Sequence, residues 1–173
     1  MKKGTIAQLM MEPQLRTMKR LNEVKIIELR PITIAQVQHK GDFQGIGRAY
    51  SKLTKWANQQ GMTDKSINKT LTVYKNDIDE VGIENLEQGA SIIIDKTCKP
   101  NNEVNIIEFE PGKCAVRRYE LNSFFEFKDV WTDMKTFTDN HELDFSMSGS
   151  FEVYQPKRNN KTVVDICIPL KKN

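Results

Sequence analysis

The stretch "VKIIELRPITIAQV" (24–37) decides the fold, because the chain repeats it as "VNIIEFEPGKCAVR" (104–117). At a constant offset, one valine, two isoleucines, a glutamate, a proline and an alanine recur in the same order. Self-similarity at a fixed spacing is the signature of a repeated supersecondary unit. In the first copy a β-branched run is interrupted by Pro31 and then resumes, which predicts two successive strands.

The likeness continues beyond this stretch. "RAYSKLTKWANQQGM" (48–62) answers to "KDVWTDMKTFTDNHEL" (128–143) after a single-residue insertion, and apolar residues at helical spacing predict a helix in each. The aligned helix residues pair Tyr50 with Trp131, Leu53 with Met134, and Trp56 with Phe137. The original offset then returns, since "LTVY" (71–74) lies opposite "FEVY" (151–154). Three matching blocks in the same order indicate an internal duplication.

Each half therefore predicts a strand-helix-strand-strand unit, with repeat 1 at about residues 22–96 and repeat 2 at about 103–172. So small a unit cannot bury both a helix and a sheet alone. The predicted fold class is α+β, with one antiparallel sheet, two helices on one face and a central groove on the other. Residues 1–21 lie outside the repeat and are predicted to be a short helix or a disordered extension to the domain at 22–173.

Composition narrows the classes of function. The 173 residues are 38% hydrophobic and 28% charged, which is typical of a globular chain. The net charge of +3 is small and scattered, whereas nucleic-acid binding usually needs Lys and Arg gathered on one face. We therefore expect no direct nucleic-acid binding.

The location of the protein is predicted from what the sequence lacks. The three cysteines are widely spaced and odd in number, which favours free thiols in a reducing compartment. No signal peptide and no membrane span are recognisable, so we expect a cytoplasmic protein that does not enter membranes. The two histidines lack the spacing of a metal site, and no cofactor motif is present, so neither metal nor cofactor is predicted.

Several segments carry a family likeness. "TIAQVQHKGDFQGIGRAYSKLTKWANQQG" places a His-x-Gly-x-aromatic turn between a strand and a helix, and "VYKNDID" has a Tyr–acidic turn. "FEPGKCAVRRYE" has a Pro-Gly-Lys-x-Ala entry, and "SFEVYQP" with "DICIPLKK" closes the chain. Together they resemble the GyrI-like small-molecule-binding domain, the effector-binding domain of AraC- and MerR-type multidrug-sensing regulators, here in a stand-alone form. The resemblance covers about residues 22–172.

That resemblance implies a groove that binds lipophilic, often cationic molecules, with an acidic residue and aromatic walls. Carried over residue by residue, the acidic residue falls on Glu152 and the aromatic ones on Tyr154, Tyr74 and Phe43. The second half lacks the His-x-Gly turn, so Phe124 is only the approximate counterpart of Phe43. Trp131 is added as a pocket candidate because its helix follows the irregular "NSFFEF" entry, whereas Trp56 is expected in the core.

Glu152 itself has two interpretations. A glutamate in a strand is usually a solvated residue on the outer face, and the alternative is that it faces the groove. Its repeat partner is Thr72, so the repeated fold does not itself require a carboxylate there. Strand alternation puts Glu152 and Tyr154 on one face, and Phe151 and Val153 on the other. If the latter pair packs under the helices, Glu152 and Tyr154 face the groove.

Three functions remain open from the sequence. The leading one is a binding module that senses or sequesters a lipophilic or cationic small molecule, without a catalytic residue. The second is a hydrolase of electrophilic small molecules in which Glu152 activates water. The third is a protein–protein regulator, such as an inhibitor that binds a topoisomerase, and a protein partner is therefore possible.

Overall fold

The computed structural model describes residues 18–62, 69–95, 97–141 and 143–171. Strands and helices follow the order that the repeat predicts in each half. The strands are β1 (Lys19–Arg20), β2 (Lys25–Leu29), β3 (Ile32–Lys40), β4 (Thr70–Tyr74), β5 (Glu87–Ile93), β6 (Asn105–Phe109), β7 (Gly112–Leu121), β8 (Phe151–Arg158) and β9 (Lys161–Pro169). The helices are α1 (Gly47–Gln59), the single turn α2 (Ile78–Val81) and α3 (Phe127–Asp139). The α+β prediction, with one antiparallel sheet and two long helices, is confirmed.

Within the described residues, nine strands join one sheet whose order reads symmetrically from its two edges. The order is β6-β3-β5-β4-β8-β9-β7, and β7 pairs with both β1 and β2 along its outer edge. The first strand of each half is exchanged, since β2 pairs with β7 of the second half and β6 pairs with β3 of the first half. The two halves meet at β4 and β8, where Thr72 lies directly opposite its repeat partner Glu152.

Each long helix packs on the strands of its own half, because its apolar residues recur along one face. The buried residues Leu53 and Trp56 of α1 pack on Val37 of β3 and Ile92 of β5. Trp56, the tryptophan expected in the core, is 2% exposed. Val130 and Met134 of α3 pack on β7 and β9. The central strands β4 and β8 are left between the two helices.

The opposite face of the sheet is buried as well, and no helix of the described segments contributes to its buried cluster. Phe151 and Val153 of β8 lie in a cluster with Leu71, Cys114 and other strand residues. Phe109 of the edge strand β6 packs edge to face against Phe151, with ring centroids 5.0 Å apart. The sheet therefore curls enough for an edge strand to cover its centre.

The face on which Glu152 and Tyr154 lie differs from the sequence prediction. Alternation does put Glu152 and Tyr154 on the same face, but that face carries the helices: Trp131 of α3 bonds Glu152, and Tyr154 packs against Phe127 of α3. The space above the central strands lies between α1 and α3. The prediction failed because strand residues, Phe109 among them, bury Phe151 on the face opposite α1 and α3.

The structure also differs at the end of the predicted N-terminal extension, whose first 17 residues lie outside the described ones. Lys19 and Arg20 form a short strand on β7 where a helix or disorder was expected. Arg20 also pairs with Asp133 of α3, whose carboxylate accepts from Arg117 as well. In the described segments, no helix has both the length and the apolar character to cross a membrane.

Candidate functional site

Glu152 occupies the centre of the inter-helix space and is 3% exposed. Its Oε1 accepts hydrogen bonds from the hydroxyl of Tyr74 at 2.5 Å and from Nε1 of Trp131 at 3.1 Å. Its Oε2 lies 2.9 Å from the hydroxyl of Tyr154. Strand β8 places the carboxylate on the face of the sheet that carries the helices. Tyr74 comes from the first half, and Trp131 and Tyr154 come from the second. Both carboxyl oxygens are therefore hydrogen-bonded within the protein.

Thr72 forms a second centre directly across the β4–β8 pair. Its hydroxyl lies 2.6 Å from that of Tyr50 of α1 and 2.8 Å from that of Tyr154. The hydroxyl of Tyr50 donates to the backbone carbonyl of Leu71 at 2.9 Å. A continuous series of oxygens therefore joins Glu152 to the first half of the molecule.

These contacts have the symmetry of the repeat. Glu152 is bonded by Trp131 of its own half's helix and by Tyr74 of the other half's central strand. Thr72 is likewise bonded by Tyr50 of its own half's helix and by Tyr154 of the other half's central strand. We call the six side chains the central polar cluster: Tyr50, Thr72, Tyr74, Trp131, Glu152 and Tyr154. Only one member, Glu152, can carry a negative charge at ordinary pH.

Burial dominates the electrostatics of the central polar cluster. It raises the pKa of the Glu152 carboxyl, although the hydrogen bonds from Tyr74, Trp131 and Tyr154 oppose the shift. Burial likewise raises the pKa of the phenols of Tyr50, Tyr74 and Tyr154. No lysine, arginine or histidine of the described segments contributes to the shift of Glu152. Among the residues that the structure describes, the carboxylate therefore has no compensating cation.

A series of aromatic rings lies between the carboxylate and the surface. Tyr74 and Trp131 pack edge to face with centroids 5.2 Å apart, which closes the side of Oε1. Tyr154 contacts Phe127, whose ring lies 5.5 Å from that of Phe124. Phe124 is 51% exposed. The rings thus extend from the buried carboxylate to the surface.

The turns that precede the two long helices carry the outermost rings of this series, and we call the Phe43–Phe124 pair the rim. Phe43 begins a 3-10 turn before α1, and Phe124 begins the corresponding turn before α3. Their ring centroids lie 6.3 Å apart, although the second half lacks the His-x-Gly turn. An open depression of about 700 Å³ runs along α1 and is lined by Tyr50, Ser51, Thr54, Lys55, Asn58 and Gln59.

The structure brings together four of the six residues predicted for the site and places the other two at its rim. Glu152, Tyr154, Tyr74 and Trp131 are in the central polar cluster, and Phe43 and Phe124 are connected to it through Phe127. Sequence reasoning missed Tyr50 and Thr72. The signal for both was the repeat itself, because each is the partner of a residue that was selected.

The fold and this buried, aromatic-walled carboxylate point to a domain that binds small molecules. The sequence matches the family of GyrI-like small molecule binding domains over residues 22–171, and the chain belongs to this family. The resemblance predicted from the sequence is confirmed. No curated protein sequence matches the chain.

Solved structures share the fold at low sequence identity. The C-terminal domain of EcmrR is 14% identical, with a TM-score of 0.66, covering 88% of this chain and 99% of that one. A hydrolase from Listeria innocua is 14% identical, with a TM-score of 0.60, covering 94% and 98%. The protein SAV2435, bound to tetraphenylphosphonium, is 12% identical, with a TM-score of 0.58, covering 87% and 94%. At these identities the likeness shows the fold alone.

Proposed function

We propose that the protein binds a lipophilic, cationic small molecule between α1 and α3, and thereby senses or sequesters it. The observation that carries the proposal is a buried carboxylate without a cationic partner among the described residues. Burying an ionised carboxylate is costly unless a cation or several donors compensate for it. The three donors that bond Glu152 are uncharged, and a ligand cation supplies the positive charge that the described residues do not.

The aromatic side chains suit the same ligand. A cation above a tryptophan or tyrosine ring gains about 0.5–2 kcal/mol. A molecule that enters between the helices meets the Tyr74–Trp131 ring pair before it reaches the carboxylate. The rings at Phe43 and Phe124 extend the apolar contact to the surface. SAV2435, which shares the fold, was solved with tetraphenylphosphonium, a cation of this kind.

The test is the affinity for tetraphenylphosphonium of the wild-type protein and of Glu152→Gln. Losing the buried charge should weaken binding by at least about 30-fold, since truncating one member of a buried charge pair costs about 2–5 kcal/mol. The matched control is Glu126→Gln, a second buried glutamate, which accepts from the backbone of Asn122 outside the central polar cluster. Equal affinities of Glu152→Gln and wild type would show that the site assignment is wrong.

A hydrolase is the second candidate, because a glutamate with a raised pKa beside two phenols suits a general base. A protein with this fold is described as a hydrolase, from Listeria innocua. In this reaction Glu152 would take a proton from water that attacks an electrophile. Hydrolysis of styrene oxide that disappears in Glu152→Gln but persists in Glu126→Gln would support it, and tight binding without turnover would count against it.

A further inference from the structure

The central polar cluster contains one more oxygen–oxygen contact than its hydroxyl protons can fill when Glu152 is ionised. Four contacts join the carbonyl of Leu71 to Oε2 of Glu152, by way of Tyr50, Thr72 and Tyr154. Each of the three hydroxyls between them has a single proton. Both ends of the series, a carbonyl and a carboxylate, can only accept. Three protons are then shared among four contacts, and one contact has none.

A proton on Oε2 of Glu152 fills the series completely. The carboxyl then donates to Tyr154, which donates to Thr72. Thr72 in turn donates to Tyr50, and Tyr50 donates to the carbonyl of Leu71, as its geometry indicates. All four contacts, from 2.6 to 2.9 Å, become hydrogen bonds in one direction. A buried polar contact without a proton costs free energy, so the count favours the neutral carboxyl.

The surroundings of Glu152 leave this proton in place. Trp131 and Tyr74 both donate to Oε1, so the other oxygen is the one free to carry a proton. The titratable groups that face the carboxyl are Tyr50 of α1, Tyr74 of β4 and Tyr154 of β8, while α3 contributes only the indole of Trp131. Burial raises the pKa of all three phenols, so they keep their protons.

We propose that Glu152 holds a proton while the site is empty and exchanges that proton for the positive charge of the ligand. The inference rests on the proposed function of the site. The O–H bond of the carboxyl breaks and its proton passes to solvent water. The hydroxyls of Tyr154, Thr72 and Tyr50 rotate to donate toward the carboxylate, and the cation balances the new negative charge. One proton is released for each monocation bound, and none for a neutral ligand.

The exchange gives the site a preference that depends on pH. Below the pH at which Glu152 loses its proton, the affinity for a monocation should rise about tenfold for each unit of pH. Above that pH the affinity should be constant. The affinity for a neutral aromatic ligand should be unaffected or should fall as the carboxyl ionises. The site therefore selects cations only when the proton can leave.

The experiment is calorimetric titration in buffers of different ionisation enthalpy, which counts the protons released on binding. Tetraphenylphosphonium is the cationic probe and triphenylphosphine oxide the neutral one, each studied from about pH 5 to about pH 9, which spans the values documented for buried glutamates. Glu152→Gln is the matched variant, because its amide can donate to Tyr154 as the neutral carboxyl does but cannot lose a proton. Infrared spectra of the ligand-free protein report directly whether the carboxyl of Glu152 is protonated.

Below the pH at which the ligand-free carboxyl ionises, the expected result is close to one proton released per tetraphenylphosphonium by the wild type, and none by Glu152→Gln or with the neutral probe. The infrared spectrum should show the carbonyl band of a protonated carboxyl that Glu152→Gln lacks. Cation binding that depends on Glu152 but releases no proton would overturn the exchange and leave the proposed function intact. A complete absence of cation binding would overturn the proposed function, and the infrared band would then still decide whether Glu152 holds its proton.

Discussion

The two halves of the central polar cluster differ most in chemistry at one pair of repeat partners, Thr72 and Glu152. Thr72 and Glu152 are repeat partners, lie opposite each other in the β4–β8 pair and are each bonded by one helix and by one tyrosine of the other half. The first half holds a hydroxyl at this position, and the second half holds a carboxylate. The architecture therefore accommodates a residue without charge.

This difference separates what the fold needs from what the site needs. A buried threonine is satisfied by two hydroxyl neighbours, whereas a buried carboxylate is costly and requires three donors here. Because the first half folds around Thr72, the carboxylate in the second half is not explained by folding. Substitutions at positions 72 and 152 and at the residues around them test this contrast.

Placing a second carboxylate opposite the first should be the most damaging change. Thr72→Glu is expected to unfold more easily than Thr72→Gln, by about 2 kcal/mol at neutral pH, because two facing carboxyls cannot both ionise in a buried site. Thr72→Gln has the same size, so both variants share the steric cost. Chemical denaturation measures the difference, which should shrink as the pH falls and the repulsion is removed. Equal stability at neutral pH would contradict the prediction.

Glu152 should make stability depend on pH where Thr72 does not. Its pKa in the folded protein is raised above the ordinary value of 4.5, so the folded state holds the proton more tightly than the unfolded state. Its stabilising contribution is therefore complete below that ordinary value and is lost as the pH rises through the raised pKa.

The stability of the wild type relative to Glu152→Gln should accordingly fall with pH, by up to about 1.4 kcal/mol per unit. Denaturation at a series of pH values measures this slope. Thr72→Ser, which adds no titrating group, should follow the wild type. A flat difference between wild type and Glu152→Gln would mean that the pKa is not raised.

The aromatic residues of the two long helices should differ in their effect on binding. Trp131→Phe should weaken tetraphenylphosphonium binding by about tenfold, because Glu152 loses a donor and the ligand loses the ring that attracts cations most strongly. Tyr50→Phe, its partner in the first half, should change the affinity by about twofold or less, because Tyr50 contacts Thr72 instead. Equal losses in the two variants would show that the site uses both halves alike.

The smallest effects are expected at the rim. Phe43→Leu and Phe124→Leu should each weaken binding by about two- to threefold, since each loses one aromatic contact at a partly exposed position. Phe125→Leu is the control, because this side chain is 82% exposed. Isothermal titration of the three variants compares them. A loss at Phe125 as large as at Phe124 would indicate that the rim is broader than the Phe43–Phe124 pair.

The repeat and the family resemblance predicted most of the candidate site. Strand alternation placed Glu152 and Tyr154 together, and the family resemblance added Tyr74, which is also the repeat counterpart of Tyr154. Tyr50 was missed because an aromatic residue at helical spacing is predicted to pack in the core, although its repeat partner Trp131 had been selected. Thr72 was used only as evidence that the fold tolerates an uncharged residue.

The sequence predicted the elements of the fold better than their arrangement. The face of the groove could not be deduced, because both faces of β8 are buried and alternation does not tell which one carries the helices. Lys19 and Arg20 form a strand too short for any periodicity to reveal. The exchange of β2 and β6 was also hidden, because each copy of the repeated stretch fits the edge of either half.

The exchanged strands restrict how a ligand can enter. The turn between β2 and β3 ties the outer edge of the second half to the outer strands of the first, and the turn between β6 and β7 does the reverse. Separating the two halves between β4 and β8 would also require the β2–β7 and β3–β6 pairs at the outer edges of the sheet to break. We therefore expect no hinge motion that opens one half of the sheet away from the other. We expect ligand access to Glu152 to depend instead on movement of side chains, above all of Tyr74 and Trp131, whose rings pack over Oε1.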